Sequence, residues 1–173
     1  MEYDKIHLYY GDGKGKTTAA IGLAIRAAGA GKKVVFSQFM KGNDTAELSI
    51  LRNIAEVKIV RPQKMYPFFK DMTEEEKRQM KEEHNAMLLE IQGIVERGGA
   101  QVVILDEVTY PITYELVDEK LLKKLLKSHN AEIVLTGRNP TKELLEMSDY
   151  VTEMKKIKHP YEKGLKARKG IEY

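Results

Sequence analysis

Three features of this sequence predict an α/β fold, a mostly parallel sheet flanked by helices in a single domain. Apolar runs of strand length alternate with helix-period patterns along the chain. The first run, Ile6 to Tyr10, passes through the glycine-rich loop Gly11-Asp12-Gly13-Lys14-Gly15-Lys16-Thr17-Thr18 into an alanine-rich helical run, Ala19 to Ile25. Val102 to Leu105 is apolar throughout, as a strand covered on both faces must be, and runs straight into the carboxylates Asp106 and Glu107. At 173 residues the chain suits one domain, 1–173, with a basic C-terminal tail from about residue 155, and a hydrophobic content of 42% supplies its core.

Ile6 to Tyr10 is the first strand, followed by Lys33 to Phe39, Val57 to Val60, Gln101 to Leu105, Glu132 to Thr136 and a short Tyr150 to Met154. Thr73 and Glu76 make a capping box. Behind it Met80, Met87, Leu88, Ile91, Ile94 and Val95 recur near helical spacing until Gly98-Gly99 closes the helix. Asn139-Pro140 opens another helix, proline being tolerated in a first turn, with Leu144, Leu145 and Met147 facing inward. The methionines read as adaptable core filler. Lys41 to Asp71 is the least regular stretch.

The glycine loop is a phosphate cradle. Closely spaced glycines let the backbone turn its N–H groups inward, and those amides, the helix N-terminus and the Lys16 ammonium converge on a polyanion. Gly11, Gly13, Gly15 and Thr18 belong to that cradle, with Lys14 and Asp12 in the same loop. Thr17 offers its hydroxyl to a magnesium ion, or manganese in its place, held between phosphates. The common form of such a loop has its first glycine at position 10, where Tyr10 stands.

Asp106 and Glu107 end a parallel strand, and so lie in the crevice where α/β folds bind ligands. With Thr17 they are the candidate metal ligands, one carboxylate touching the ion while the other orients water or Thr17. Which does which stays open. Thr136-Gly137-Arg138, after another strand, places a guanidinium on the same rim, within reach of phosphate. Lys16 and Glu107 are the candidate catalytic residues.

Composition excludes other classes. Without cysteine there is no disulfide framework, thiolate metal site or thiol nucleophile. No apolar run approaches the roughly 20 residues that span a bilayer, and MEYDKIHLYY lacks the basic-then-apolar pattern of a secretion signal, so a cytoplasmic protein is expected. A net charge of +3 is too small to argue for a nucleic-acid partner, and none is expected.

The segments GDGKGKTTAAIGLAIRAAGAGKKV, QFMKG, VVILDEVTY, IVLTGRNP, SDYVTEM and KHPYEKGLKARKGIEY occur in an order that resembles the ATP:corrinoid adenosyltransferases of the CobA/BtuR type. The resemblance implies a RecA-like P-loop NTPase fold. It implies transfer of the 5′-deoxyadenosyl group of ATP to the cobalt(I) of a corrinoid, cobalamin or a precursor, with release of triphosphate. It further implies a homodimer and an electron-donating flavoprotein partner. In the family the triphosphate lies across the loop in reverse, exposing the ribose carbon, and the family usually carries Asn where Asp12 stands. Arg26 matches an arginine of the family's first helix and joins the ATP-binding candidates. His159, in KHP, matches a motif suited to a lid or to packing. The other histidines, His7, His84 and His129, show no metal spacing.

Cobalt(I) is already a nucleophile with no proton to remove, so the chemistry needs no Ser, Cys or His base. Members of the family commonly carry a tryptophan-containing segment against the corrin, and this chain has no tryptophan. Met65-Tyr66-Pro67-Phe68-Phe69 is the nearest equivalent, which makes Tyr66, Phe68 and Phe69 corrinoid candidates, with Gln38 and Lys41 of QFMKG beside them. Two rival readings use the same residues: a P-loop ATPase or kinase with Glu107 as base, and a catalytically altered nucleotide-binding homologue.

Overall fold

The computed structural model describes residues 4–42, 45–127 and 130–172, so that His129 and the last residue of the tail motif, Tyr173, lie outside the described residues. Six strands, β1 (Ile6–Tyr10), β2 (Val34–Gln38), β3 (Val57–Val60), β4 (Val102–Asp106), β5 (Glu132–Gly137) and β6 (Tyr150–Glu153), form one sheet. Its order is β3-β2-β4-β5-β1-β6 and every pairing is parallel. All strands therefore end at one edge, where ligands gather in such folds. Strand β5 stands between β1, which feeds the glycine loop, and β4, which delivers Asp106. Each strand expected from the sequence is present, with ends that differ by one residue or less.

Alternation along the strands divides the core between two faces. Val34, Phe36, Val102, Ile104 and Val134 pack with Ala20, Ala24, Ala27 and Ala28 of α1 (Lys16–Gly29) and with Leu48 and Leu51 of α2 (Ala46–Leu51). The alanines leave α1 no bulk on its inner face, so it lies close against the sheet. On the opposite face Val35, Val103, Leu105, Ile133 and Leu135 meet Met87, Leu88, Ile91 and Val95 of α3 (Glu74–Glu96), Leu122, Leu125 and Leu126 of α5 (Glu119–Lys127) and Leu144 of α6 (Lys142–Met147). Each such leucine or valine contributes about 1.5–3 kcal/mol on leaving water. A third cluster, Met72, Met80 and Leu116 with Tyr66 and Phe69 against it, pins the irregular stretch.

Helix α3 starts and stops as its sequence dictates. The Thr73 hydroxyl accepts from the Glu76 N–H at 3.2 Å, the Glu76 carboxylate accepts from the Thr73 N–H at 2.8 Å, and Gly98 follows the last turn with φ 66°. Elsewhere the structure departs from expectation. Helix α6 is capped by Thr141, whose hydroxyl accepts from the Leu144 N–H at 3.3 Å, so Asn139-Pro140 precedes the helix instead of forming its first turn. The short α2 and α4 (Thr109–Thr113) have no side-chain cap and are not legible beforehand, whereas α5, which was not anticipated, is written in Leu121, Leu122, Leu125 and Leu126 at helical spacing behind Asp118, whose carboxylate accepts from the Lys120 N–H at 2.9 Å. Met72, Met80 and Met87 do fill core space, whereas Met65 is 72% exposed.

Candidate active site

The glycine loop makes its turn with Gly11 at φ 116° and Gly15 at φ 115°, and Gly15 caps α1. No side chain caps this helix and no acidic residue occupies its first turn, so no residue of the helix itself competes for its leading amides. The Lys16 ammonium is buried and donates to the Gly13 carbonyl at 2.7 Å. Burial holds its pKa below the ordinary lysine value, opposed by the nearby Glu107 carboxylate. Thr18 is exposed beside it, and the exposed Lys14 donates to the Ile171 carbonyl of the tail at 3.1 Å.

Strand register brings the remaining groups to Asp106, which is fully buried. Its Oδ1 accepts from the Thr17 hydroxyl at 2.8 Å and from the Thr136 hydroxyl at 2.7 Å. Its Oδ2 accepts from Lys41 at 3.1 Å and Gln38 at 3.4 Å, Gln38 pairing with Asp106 across β2 and β4. Both carboxylate oxygens are thus supplied with two donors each, which fills the four lone-pair sites of an ionised carboxyl. Glu107 is different. Its backbone is left-handed, φ 61°, an uncommon conformation for a side-chain-bearing residue, and its N–H is fixed by the Thr136 hydroxyl at 2.8 Å. Among the described residues its carboxylate takes no hydrogen bond or ion pair. Burial, and secondarily the adjacent Asp106 charge, pushes its pKa above the usual carboxylate value.

The exposed Arg138 sits on the rim, where its charge acts on Lys16, Asp12 and Glu107 and its carbonyl accepts from the Thr109 hydroxyl at 2.7 Å. Arg26 is placed elsewhere. It lies in the last turn of α1, ten residues past Lys16, about 15 Å along the helix axis, and there acts on Tyr9. Asp12 turns toward the tail, its Oδ1 accepting from the Lys156 N–H at 3.0 Å.

Next to the carboxylates opens a cavity of about 900 Å3, lined by Lys41, Tyr66, Phe68, Phe69, Glu107, Tyr110 and Tyr114 among others. Phe69 stacks on Tyr114 with centroids 4.0 Å apart, while Phe68 stands 81% exposed at the edge. Gln38 does not line this cavity. It is buried between Glu47, to which it donates at 3.0 Å, and Asp106.

Two contributors were not anticipated. Thr136 was visible only as the polar residue that ends the apolar run of β5, and Met154 gave no signal, since its part is played by its backbone. The Met154 N–H donates to the Tyr10 carbonyl at 2.7 Å and its carbonyl accepts from the Gly13 N–H at 2.6 Å, laying the chain after β6 across the loop.

The family model described as ATP:corrinoid adenosyltransferase BtuR/CobO/CobP matches residues 2–173. The chain belongs to that family. It is similar to the corrinoid adenosyltransferase of Escherichia coli K12, 36% identical over 175 residues that cover 97% of this chain and 85% of that protein. It is 34% identical to the corrinoid adenosyltransferase CobA of Salmonella typhimurium over 178 residues, with the same coverage, and 31% identical to the corrinoid adenosyltransferase of Pseudomonas aeruginosa over 169 residues, covering 96% and 82%. The fold inferred from that resemblance, a phosphate-loop strand and a carboxylate strand in one parallel sheet, is the fold observed. Among the described residues no helix is long and apolar enough to cross a membrane.

Proposed function

We propose that the chain transfers the 5′-deoxyadenosyl group of ATP to the reduced cobalt of a corrinoid, cobalamin or a precursor, with triphosphate as the leaving group. The observation that supports this best is the junction of two unlike spaces. A cradle rich in donors, Gly11 to Thr18, meets a large cavity with aromatic walls, and Lys41 and Glu107 face both. A phosphohydrolase, whose co-substrate is water, has no use for a largely apolar cavity of about 900 Å3 there; a planar macrocycle would fill it.

In the reaction a cobalt–carbon bond forms, the C5′–oxygen bond breaks, and its electron pair leaves on triphosphate. Cobalt(I) supplies the attacking pair, so no side chain has a proton to remove. The protein's tasks are alignment and stabilisation of charge on the departing polyanion. Lys16 leaves the Gly13 carbonyl for phosphate oxygens, the α1 amides donate, and Arg138 lies on the rim to add a second cation. The donor set suits a hard cation, all oxygen and few in number, as magnesium bound mainly through phosphates requires. Thr17 and Glu107 would hold that ion, because Asp106 already has both oxygens filled and so orients Thr17. Magnesium or manganese there would neutralise the charge that develops on triphosphate. Tyr66, Phe68 and Phe69 supply the apolar wall against the corrin.

The same resemblance supports a cytoplasmic homodimer fed electrons by a flavoprotein; light scattering tests the dimer. The activity itself is tested by supplying ATP with and without a chemically reduced corrinoid. Triphosphate and adenosylated corrinoid should appear together in equal amounts. ADP with orthophosphate, formed with or without corrinoid, would identify a phosphohydrolase instead, and ADP with a phosphorylated acceptor a kinase.

A further inference from the structure

We infer that Asp12 is a positioning residue that clamps the chain's own C-terminal segment across the phosphate loop. The Met154–Lys156 strap, and not the loop alone, then sets the geometry in which triphosphate is bound. This rests on the loop being the ATP cradle.

Four contacts make the clamp. The Met154 backbone bonds the end of β1 at the Tyr10 carbonyl, 2.7 Å, and the loop itself at the Gly13 N–H, 2.6 Å. The Asp12 carboxylate takes the Lys156 N–H at 3.0 Å, and Lys14 reaches the Ile171 carbonyl at 3.1 Å, so the tail is held where it crosses the loop and again near its end. Two glycines are there to admit the strap. A Cβ on Gly11 would lie 2.6 Å from the Met154 carbonyl oxygen, and one on Gly13 2.5 Å from it, both against backbone that has no rotamer to turn away.

The clamp reaches the reacting groups through Gly13. Its N–H is held by Met154 while its carbonyl holds the Lys16 ammonium at 2.7 Å, so one residue links the strap to the charge that must move to phosphate. It also accounts for a carboxylate in a loop built for a polyanion. Turned toward triphosphate, Asp12 would repel it; bonded to the Lys156 amide, the charge points to the strap, with the Lys156 ammonium nearby. That backbone hydrogen bond is the main reason the Asp12 carboxyl stays ionised below its usual range.

The test uses the full chain without corrinoid, with ATP and inorganic triphosphate as probes. Titration calorimetry gives affinity, and tryptic cleavage after Lys155, Lys156 and Lys158 reports whether the strap is down. Asp12→Ala should speed those cleavages and weaken both ligands several-fold. Asp12→Asn should restore both readouts, because its amide oxygen accepts the same Lys156 bond without the charge. The inference is overturned if Asp12→Ala leaves the tail protected, if it frees the tail while affinity stays the same or rises, or if Asp12→Asn behaves like Asp12→Ala. Lys16→Ala separates the two claims: undiminished triphosphate binding in that variant sinks the cradle reading, whatever the tail does.

Discussion

The proposed reaction divides the single side chains of this site between those that would hold shape and those that would hold charge. Lys16 is of the second kind. Lys16→Ala should slow adenosyl transfer about 10²–10³-fold, a barrier higher by about 2.7–4 kcal/mol, the typical cost of losing one donor to a developing anion, while the melting temperature barely moves. Turnover near that of the parent would remove the phosphate-cradle argument. The carboxylates should separate in the same way. In Asp106→Asn an NH2 faces donors from Thr17, Thr136, Gln38 and Lys41, so stability should drop by about 1–3 kcal/mol along with activity. Glu107→Gln discards no hydrogen bond and should weaken activity chiefly through its magnesium dependence, read in a metal titration. Its pH behaviour carries a sign. Because burial raises the Glu107 pKa in the folded chain, the folded state keeps that proton longer than the unfolded one. Stability should therefore fall as pH climbs from the ordinary carboxylate range through the raised value, and Glu107→Gln should flatten that fall.

At the scale of elements, the walls of the large cavity hang on a few ties between helices and loops. His84 of α3 is one: its Nδ1 bonds the Leu116 carbonyl at 2.8 Å and its Nε2 faces the Met40 N–H at 3.3 Å, just before Lys41. Burial pushes its pKa down to about 4, so the ring is neutral at pH 7, Nδ1 donating and Nε2 accepting. The unfolded chain takes up that proton first, so stability should be lost as pH falls from about 6.5 toward 4, by up to roughly 3 kcal/mol. An acid melting series that shows no such contribution beside a His84→Gln control would refute this. The aromatic stretch also splits by position. Phe69→Ala breaks the stack on Tyr114 and should lower the melting temperature; Phe68→Ala removes a ring already in solvent and should not. If these rings form the corrin wall, Phe68→Ala should still depress transfer from cobalt(II) more than from pre-reduced cobalt(I), with ATP affinity unchanged. Equal losses with both would move the corrinoid elsewhere.

For the molecule as a whole, the proposed function requires ATP with magnesium to bind only the assembled edge of the sheet, to which β1, β2, β4 and β5 all contribute side chains around Asp106 and the loop. Saturation at about a hundred times the dissociation constant should add about 2.7 kcal/mol, roughly 5–10 °C for a chain of this size, and Lys16→Ala should forfeit most of that shift. A ligand-independent melting temperature would mean that the nucleotide is not held by this edge. What the sequence by itself determined is whatever its own neighbours fix: the alternation of strands and helices, the loop from Gly11 to Thr18, the Asp106-Glu107 pair and the capping box of α3. Each of these is written in a few consecutive residues, because turn geometry, side-chain period and caps are local. Only the tertiary structure decided that Gln38, Lys41 and Thr136 converge on Asp106, that Arg26 lies far along α1, and that Met154 crosses the loop. Those meetings join residues from 30 positions apart, Asp106 and Thr136, to 144, Tyr10 and Met154. Strand order and register bring them together, and these answer to the burial of both sheet faces at once, a quantity that no short stretch of sequence contains.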